Sequence, residues 1–429
     1  MDNVNDLRTY TIATINLNGI STTNKIQALN TFVRLLDIDV VFMQEVEAKR
    51  IDSYGYNMVF NIDERRRGTA IAVKRHFKIS NTERSLDGRI LTTRFEGHAT
   101  LCNIYAPSGT VNYSDREAFF SNRLPFFMRS ASEYVIFGGD FNSVIRAEDS
   151  SGTSNFSLSL KRLIDSLQLV DTWLVKNTGL NEYSFIRNRS FSRIDRIYVN
   201  KQLKDKISAA HFQVAAVSDH KVYVIRLNLP RTPIKYCQGI WALKNIALTD
   251  ENLNDFAYKW QYWIRQKRHY NSWINWWVEY AKPKIGSFFK YKIKTIHDTF
   301  RFNIEFLYSS LRNAYDDYMT NPNVLTKING IKGKMLKQQR EFSSFYYRPN
   351  PLFNENETIS TCQLQVSNTR RKNTAMDYIR IGERIIEDPV ERDNIIVQHF
   401  EKLYSVTVNL FPNTDLYHKK QLTCNYPKI

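Results

Sequence analysis

The sequence predicts an α/β protein in two parts, with strands and helices alternating over residues 1–228 and a mainly helical region over 229–429. Apolar runs of strand length recur through the first part: Thr11–Ile15, Val40–Met43, Thr69–Lys74, Ile90–Phe95, Thr100–Tyr105, Tyr134–Phe137, Ile194–Val199, Phe212–Val217 and Val222–Leu227. So many short strands with few helices between them favour two packed sheets covered by helices over a simple βαβ array. At Leu229-Pro230-Arg231-Thr232-Pro233 two prolines punctuate the chain, and beyond them Trp, Tyr, Phe and Lys crowd into longer helical patterns.

The first strand ends in Asn16-Leu17-Asn18-Gly19. A helix follows with Ile26, Leu29, Val33 and Leu36 on one face and Thr23 or Asn24 as its cap. Ser114–Arg129 and Ser157–Leu167 read as helices, the first starting at a serine cap and kinked at Pro125. Helical patterning dominates from Thr249 to about Tyr347, with turns at Pro322 and near Pro349. Gly382 and Pro389 mark a turn or hairpin before a helix through Ile395, Ile396, Phe400 and Leu403.

With 429 residues, 42% of them hydrophobic, the chain can build a real core in two domains. It has no apolar run long enough to cross a bilayer, and its opening residues are too polar for a signal peptide. Cys102, Cys237, Cys362 and Cys424 lie far apart, which argues against a zinc finger and for a reducing intracellular setting. The net charge is +17. Residues 1–228 carry 30 basic and 24 acidic side chains, and residues 229–429 carry 30 and 19. Such a surplus attracts polyanions, and the aromatic residues of the second part are of a kind that stacks on bases.

The chemistry concentrates at strand ends, where a sheet fixes the backbone and a loop exposes the side chain. Asn16 and Asn18 end the first strand, Glu45 follows Val40–Met43, and Tyr105 ends Thr100–Tyr105. Asp140 and Asn142 lie in Gly138-Gly139-Asp140-Phe141-Asn142. Asp195 begins a further strand, and Asp219 and His220 follow Phe212–Val217. Hydrolysis of a phosphodiester needs a cation, an oriented water, a proton-transfer group and donors aimed at the transition state. This set supplies each type. Glu45 suits Mg²⁺, a cation that prefers oxygen ligands, and Asp195 can fix the tautomer of His220.

In order, the segments Ile15–Gly19, Met43–Glu45, Ile104–Pro107, Gly139–Asn142, Ser192–Asp195 and Ser218–His220 resemble the endonuclease/exonuclease/phosphatase superfamily over residues 9–228. Within it the chain is similar to the apurinic-type endonuclease of LINE-type (non-LTR) retrotransposons. Asn16-Leu17-Asn18-Gly19 stands where repair enzymes have Asn-x-Asp-Gly. Tyr183-Ser184-Phe185 runs into Ser192–Asp195, and Gly239–Leu243, Trp273–Trp277 and His399–Tyr404 resemble the segment that joins nuclease to polymerase.

The resemblance implies a two-sheet, four-layer α/β sandwich followed by the helical region, and a Mg²⁺-dependent endonuclease, with Mn²⁺ a substitute. It would nick one strand of target DNA and leave a 3′-hydroxyl primer for reverse transcription. Glu45 would hold the metal with Asn18 and Asp219, aided by Asn16. His220, oriented by Asp195, would contact the scissile phosphate or act as base. Asp140 would transfer a proton, and Asn142 and Tyr105 would stabilise the transition state. Arg187, Arg189 and Arg193 are the expected DNA contacts, the first two in a hairpin tip at Ile186–Phe191. DNA is the expected partner, RNA of the same element a further one through 229–429, and the nucleus the expected location. Ala314-Tyr315-Asp316-Asp317 is similar to a polymerase signature but sits in a helical stretch, so the polymerase is expected to be absent, truncated or encoded elsewhere. Two rival readings are a lipid or inositol phosphodiesterase or phosphatase of the same fold, against which the basic surplus argues, and an inactive nucleic-acid-binding remnant, against which the intact motif set argues.

Overall fold

The strand-rich first part forms two six-stranded sheets packed face to face. In chain order, β1 (Leu7–Asn16) leads to α1 (Thr23–Leu35), β2 (Val40–Gln44), β3 (Tyr56–Ile62), β4 (Gly68–Lys74), β5 (Ile79–Arg84), β6 (Ile90–Phe95) and β7 (Ala99–Tyr105). Next come α2 (Tyr113–Ala118), a π turn at Phe119–Arg123, α3 (Leu124–Met128) and β8 (Tyr134–Asp140). They are followed by α4 (Leu158–Ser166), β9 (Leu169–Asp171), α5 (Thr172–Lys176), β10 (Phe185–Arg187), β11 (Ser190–Ser192), β12 (Asp195–Asn200), β13 (Ile207–Gln213) and β14 (Val222–Pro230). The computed structural model describes residues 7–20, 22–47, 55–64, 68–109, 111–129, 131–152, 156–187, 190–230, 243, 245–347 and a few positions between 379 and 398.

One sheet has the order β13-β14-β1-β2-β4-β3 and the other β5-β6-β7-β8-β12-β9. Alternation along each strand divides the core, because successive side chains point to opposite faces. Tyr10, Ile12 and Phe42 enter the cluster between the sheets with Leu101, Ile136 and Ile197. Ala13, Ile15, Val41 and Met43 face outward onto Leu29, Phe32 and Val33 of α1. On the far side Cys102, Ile104 and Phe137 pack on Phe119, Phe120, Leu124 and Leu160. The result is a helix–sheet–sheet–helix stack, the four layers the sequence led us to expect. Helix α1 begins one residue earlier than expected, with Thr22 as the cap accepting from the Lys25 amide.

Beyond the proline pair come α6 (Asp250–Arg265), α7 (Trp273–Asn275), α8 (Lys282–Tyr318) and α9 (Leu325–Tyr347), and α8 and α9 join this stack. Ile304, Leu307, Tyr308, Leu311, Ala314 and Tyr315 of α8, with Ile328 and Met335 of α9, share the buried cluster of α1 and the outer sheet face. The Tyr308 ring meets Phe32 edge-on at 6.0 Å. Residues 1–348 therefore form one compact unit and 349–429 a second, so compactness breaks at 348 rather than at the prolines. In the second unit β15 (Ile379–Ile381) pairs with β16 (Arg384–Ile386). The helix expected through Ile396, Phe400 and Leu403 lies largely outside the described residues, as does the His399–Tyr404 segment. Ala314 and Tyr315 are buried inside α8, so Tyr315-Asp316-Asp317 forms no hairpin.

One apolar run differs from its expectation. Phe212–Val217 leaves the sheet at Gln213, and Val214–Val217 continues as a buried loop in the cluster that contains Leu311, Ala314 and Tyr315. Burial of this run comes from packing in that cluster, not from strand pairing.

Candidate active site

Strand direction gathers the polar residues at one edge. β1 runs parallel to β2 with Asn16 opposite Gln44, and β7 runs parallel to β8 with Tyr105 opposite Asp140. β12 runs antiparallel to β8 and starts there, with Asp195 opposite Asp140. β14 is antiparallel to β1, so its start, just after Asp219 and His220, lies beside the end of β1.

Two glycines make the Asp140 strand end fit. A Cβ on Gly138 would lie 2.7 Å from the Phe42 ring of the facing sheet. Gly139 has φ +142°, and a Cβ there would lie 2.1 Å from the Ile104 carbonyl oxygen. Three site residues, Asn18 (φ 46°), Glu45 (φ 53°) and Asn142 (φ 46°), also adopt left-handed backbone. Asn tolerates that region and Glu does not, so Glu45 is held by its surroundings. Behind it, Gln44 donates to Asn103 at 2.6 Å and to Thr14 at 3.1 Å, inside the sandwich.

The hydrogen bonds form one chain. Asn16 Nδ2 donates to Glu45 Oε1 (2.9 Å) and to Asp140 Oδ2 (3.0 Å). The Tyr105 hydroxyl donates to the same Glu45 oxygen at 3.0 Å. The Asn142 amide donates to Asp140 Oδ1 at 2.9 Å, and its side chain to the Ala106 carbonyl at 3.0 Å. His220 Nδ1 lies 2.8 Å from Asp195 Oδ2, which leaves Nε2 for the cleft that His220 lines. Ser218 donates to the Asn16 carbonyl and accepts from the His220 amide, tying β1 to the histidine. The Phe185 ring packs on the imidazole with centroids 4.5 Å apart.

Burial and charge then set protonation. Asp140 is pushed up to about 7, first by burial and then by the Asp195 charge, against the pull of His220 and Asn16. Burial alone would lower His220. The Asp195 charge and hydrogen bond, with Asp140 and Asp219, outweigh it and raise the group to about 9. The Tyr105 phenol is raised by burial and by Glu45, so it stays a donor.

Asn18, Glu45, Asp140, Asn142, Asp219 and His220 line a single cleft of about 600 Å³. Asn16, Tyr105 and Asp195 reach it through the hydrogen bonds above. Within it, ligand atoms of Asp140, Asp195 and His220 lie within 4.8 Å of one another. A divalent cation fits the donor set. Asp219 Oδ1 and Asp195 Oδ1 are buried without a hydrogen-bond partner among the described residues, and carboxylate and amide oxygens are what Mg²⁺ selects.

One expected DNA contact is elsewhere. Arg193 is 2% exposed, and its guanidinium is committed to Asp149 (2.8 Å) and Asp171 (2.8 Å), with Arg196 also on Asp149 at 3.2 Å. A side chain so enclosed braces the start of β12 and does not meet a phosphate. Of the expected hairpin, β10 and β11 pair directly from Phe185–Ser192 to Arg187–Ser190. Arg189 and the Arg187 side chain lie outside the described residues.

Several contributors escaped the sequence reading. Ser184 accepts from the Ile194 and Asp195 amides at 3.1 and 3.0 Å and so sets the height of Asp195. Lys332 of α9 donates to the Ser218 carbonyl at 2.7 Å, and Arg312 of α8 to Phe212 at 3.2 Å. Ser184 lies inside Tyr183-Ser184-Phe185, so its segment was visible in the sequence though its role was not; nothing in the sequence pairs Lys332 with a turn 114 residues away.

A curated relative, the "Transposon TX1 uncharacterized 149 kDa protein" of Xenopus laevis, is 25% identical over 288 residues. That match covers 62% of this chain and 22% of the relative, so the chain spans about a fifth of that protein's length. Among solved structures, an AP endonuclease from Archaeoglobus fulgidus is 19% identical with a TM-score of 0.45, covering 51% of this chain and 99% of that one. The endonuclease domain of TRAS1, a telomere-specific non-LTR retrotransposon, is 19% identical with a TM-score of 0.40, covering 51% and 98%. Residues 13–220 match the Endonuclease/Exonuclease/phosphatase family from the first strand to His220, and the chain accordingly carries a domain of that family.

Proposed function

We propose that this protein is a Mg²⁺-dependent DNA endonuclease of a LINE-type retrotransposon, which nicks one strand to leave a 3′-hydroxyl that primes reverse transcription. The observation that carries the reading is the Tyr105–Glu45–Asn16–Asp140 chain, which meets the Asp195–His220 pair on one cleft. Glu45, Asn18 and Asp219 would hold the cation, whose chemistry is to neutralise charge developing on the phosphate and leaving oxygens. His220 presents an imidazolium Nε2–H to a non-bridging oxygen, with Asp195 fixing ring and charge. Water attacks phosphorus and its proton passes to Asp140, a group with a midpoint near neutrality. The P–O3′ bond breaks, the 3′ oxygen takes a proton from solvent as it leaves and the phosphate stays on the 5′ side, and Asn142 and Tyr105 steady the site around it.

Access to chromosomal DNA makes the nucleus the expected location. Among the described residues no helix is long and apolar enough to cross a membrane. The test is supercoiled plasmid with and without Mg²⁺, followed by direct extension of the nick with a DNA polymerase. Open circles extended without end repair are expected. Nicks that need a phosphatase before extension, or cleavage of inositol phosphates in preference to DNA, would refute the reading.

A further inference from the structure

We propose that the groove between α6 and the first half of α8 is a binding site for single-stranded nucleic acid, separate from the catalytic cleft. Its volume is about 710 Å³. α6 contributes Tyr258, Tyr262 and Arg265 at i, i+4 and i+7, and α8 contributes Lys284, Ser287 and Tyr291 at i, i+3 and i+7. Each set lies along one helix face, so each wall of the groove carries both aromatic rings and cationic groups.

The tyrosines are not there for packing. The local core is already filled by Trp263, Phe288, Phe289 and Ala247, with Phe256 and Trp260 against it. Tyr258, Tyr262 and Tyr291 are nevertheless 79%, 61% and 67% exposed. Exposed rings clustered in a groove mark an interaction surface. Charge narrows the partner. Residues 250–294 carry nine basic and four acidic side chains. Lys259, Arg265 and Lys284 are exposed and form no ion pair among the described residues, whereas nearby Lys292 is paired with Asp255. Unneutralised cations between accessible rings are the chemistry that holds a phosphate backbone while bases stack.

Spacing favours a single strand over a duplex. Tyr258 and Tyr262 are separated by about 6 Å along the helix axis, at roughly 1.5 Å per residue. Adjacent nucleotides of one duplex strand rise by about 3.4 Å, so these rings match bases that have come apart. The inference rests on the reading of this chain as a nucleic-acid enzyme, but on no property of the cleft.

The test uses the full chain in EDTA, where cleavage is idle, and the anisotropy of labelled 20-residue oligouridine RNA, oligothymidine DNA and duplex DNA over a salt series. Replacing Tyr258, Tyr262 and Tyr291 together by Ala should weaken single-strand binding by about 5- to 150-fold per ring engaged, with the salt slope unchanged. The same positions changed to Phe should bind like the parent, which separates stacking from folding. Changing Lys259, Arg265 and Lys284 to Gln should reduce the log–log salt slope by about two. Tighter binding of RNA than DNA would identify RNA as the ligand, and equal binding would identify any single strand; both support the site. Unchanged affinity in the alanine variant, or a preference for duplex that the variant retains, overturns the proposal and leaves the groove as a polypeptide surface. Plasmid nicking in Mg²⁺ by the same variants is read separately, so loss of the nuclease reading would not be mistaken for loss of this one.

Discussion

Replacing Lys332 by Met asks whether the α8–α9 hairpin belongs to the nuclease or only adjoins it. The Lys332 ammonium donates to the Ser218 carbonyl at 2.7 Å and lies 5.5 Å from the centre of the Tyr315 ring. Ser218 is itself buried, and its hydroxyl joins the Asn16 carbonyl to the His220 amide. Methionine keeps the stem and removes the donor, leaving a buried carbonyl without its charged partner. A hydrogen bond of that kind contributes about 1.5–3 kcal/mol. If the Ser218–His220 turn relaxes by about 1 Å, misplacement of the imidazole should slow the chemical step by about 10²-fold. Single-turnover nicking and thermal denaturation of the same preparations separate the two effects. The expected result is a slower chemical step with little change in DNA affinity, largely restored by Lys332→Arg. A parental single-turnover rate in Lys332→Met would refute the reasoning, because the turn would then be held by the sandwich alone.

Four other outcomes follow from the same contacts. Ending the chain after Pro230 strips α8 and α9 from α1 and the outer sheet face, so residues 1–230 should melt well below residues 1–348; coincident melting curves would show that the shared cluster adds nothing. Gly139→Ala forces a Cβ against the Ile104 carbonyl at a positive φ, and urea unfolding should report a loss of at least about 3 kcal/mol with nicking impaired. Arg193→Met leaves Asp171 buried without a countercharge and Asp149 with Arg196 alone, and should cost about 3–5 kcal/mol; a variant of parental stability with weakened DNA binding would restore Arg193 as a DNA contact. Asp195→Asn removes the charge that holds the His220 imidazolium and should lower the nicking rate by about 10²–10⁴ with a near-parental melting temperature.

The candidate site was legible because its members lie at or next to the ends of apolar runs, and strand ends are where side chains become available. Gly138-Gly139 before Asp140 was also a sound signal, since only glycine accommodates Phe42 on one side and Ile104 on the other. Other features depend on partners far away in sequence. Val214–Val217 has the apolarity of a strand, but it is buried as a loop, in a cluster that includes residues of α8 and α9. Edge strands such as β5 carry mostly exposed or half-buried side chains and lack a clean period of two. Arg193 reads as a free cation until Asp149 and Asp171 fold onto it. The aromatic residues after Pro230 divide in the same way, with Tyr308 and Tyr315 buried on the sandwich and Tyr258 and Tyr262 in solvent.

In the proposed mechanism Asp140 moves the proton while His220 holds the phosphate. This assignment is tested most directly by the single-turnover nicking rates of the parent, Asp140→Asn and His220→Ala in Mg²⁺, with an EDTA control. Mg²⁺-dependent cleavage by the parent is expected, with a fall of about 10²–10⁴ in each variant. Cleavage by Asp140→Asn at the parental rate, or cleavage that persists in EDTA, would contradict it.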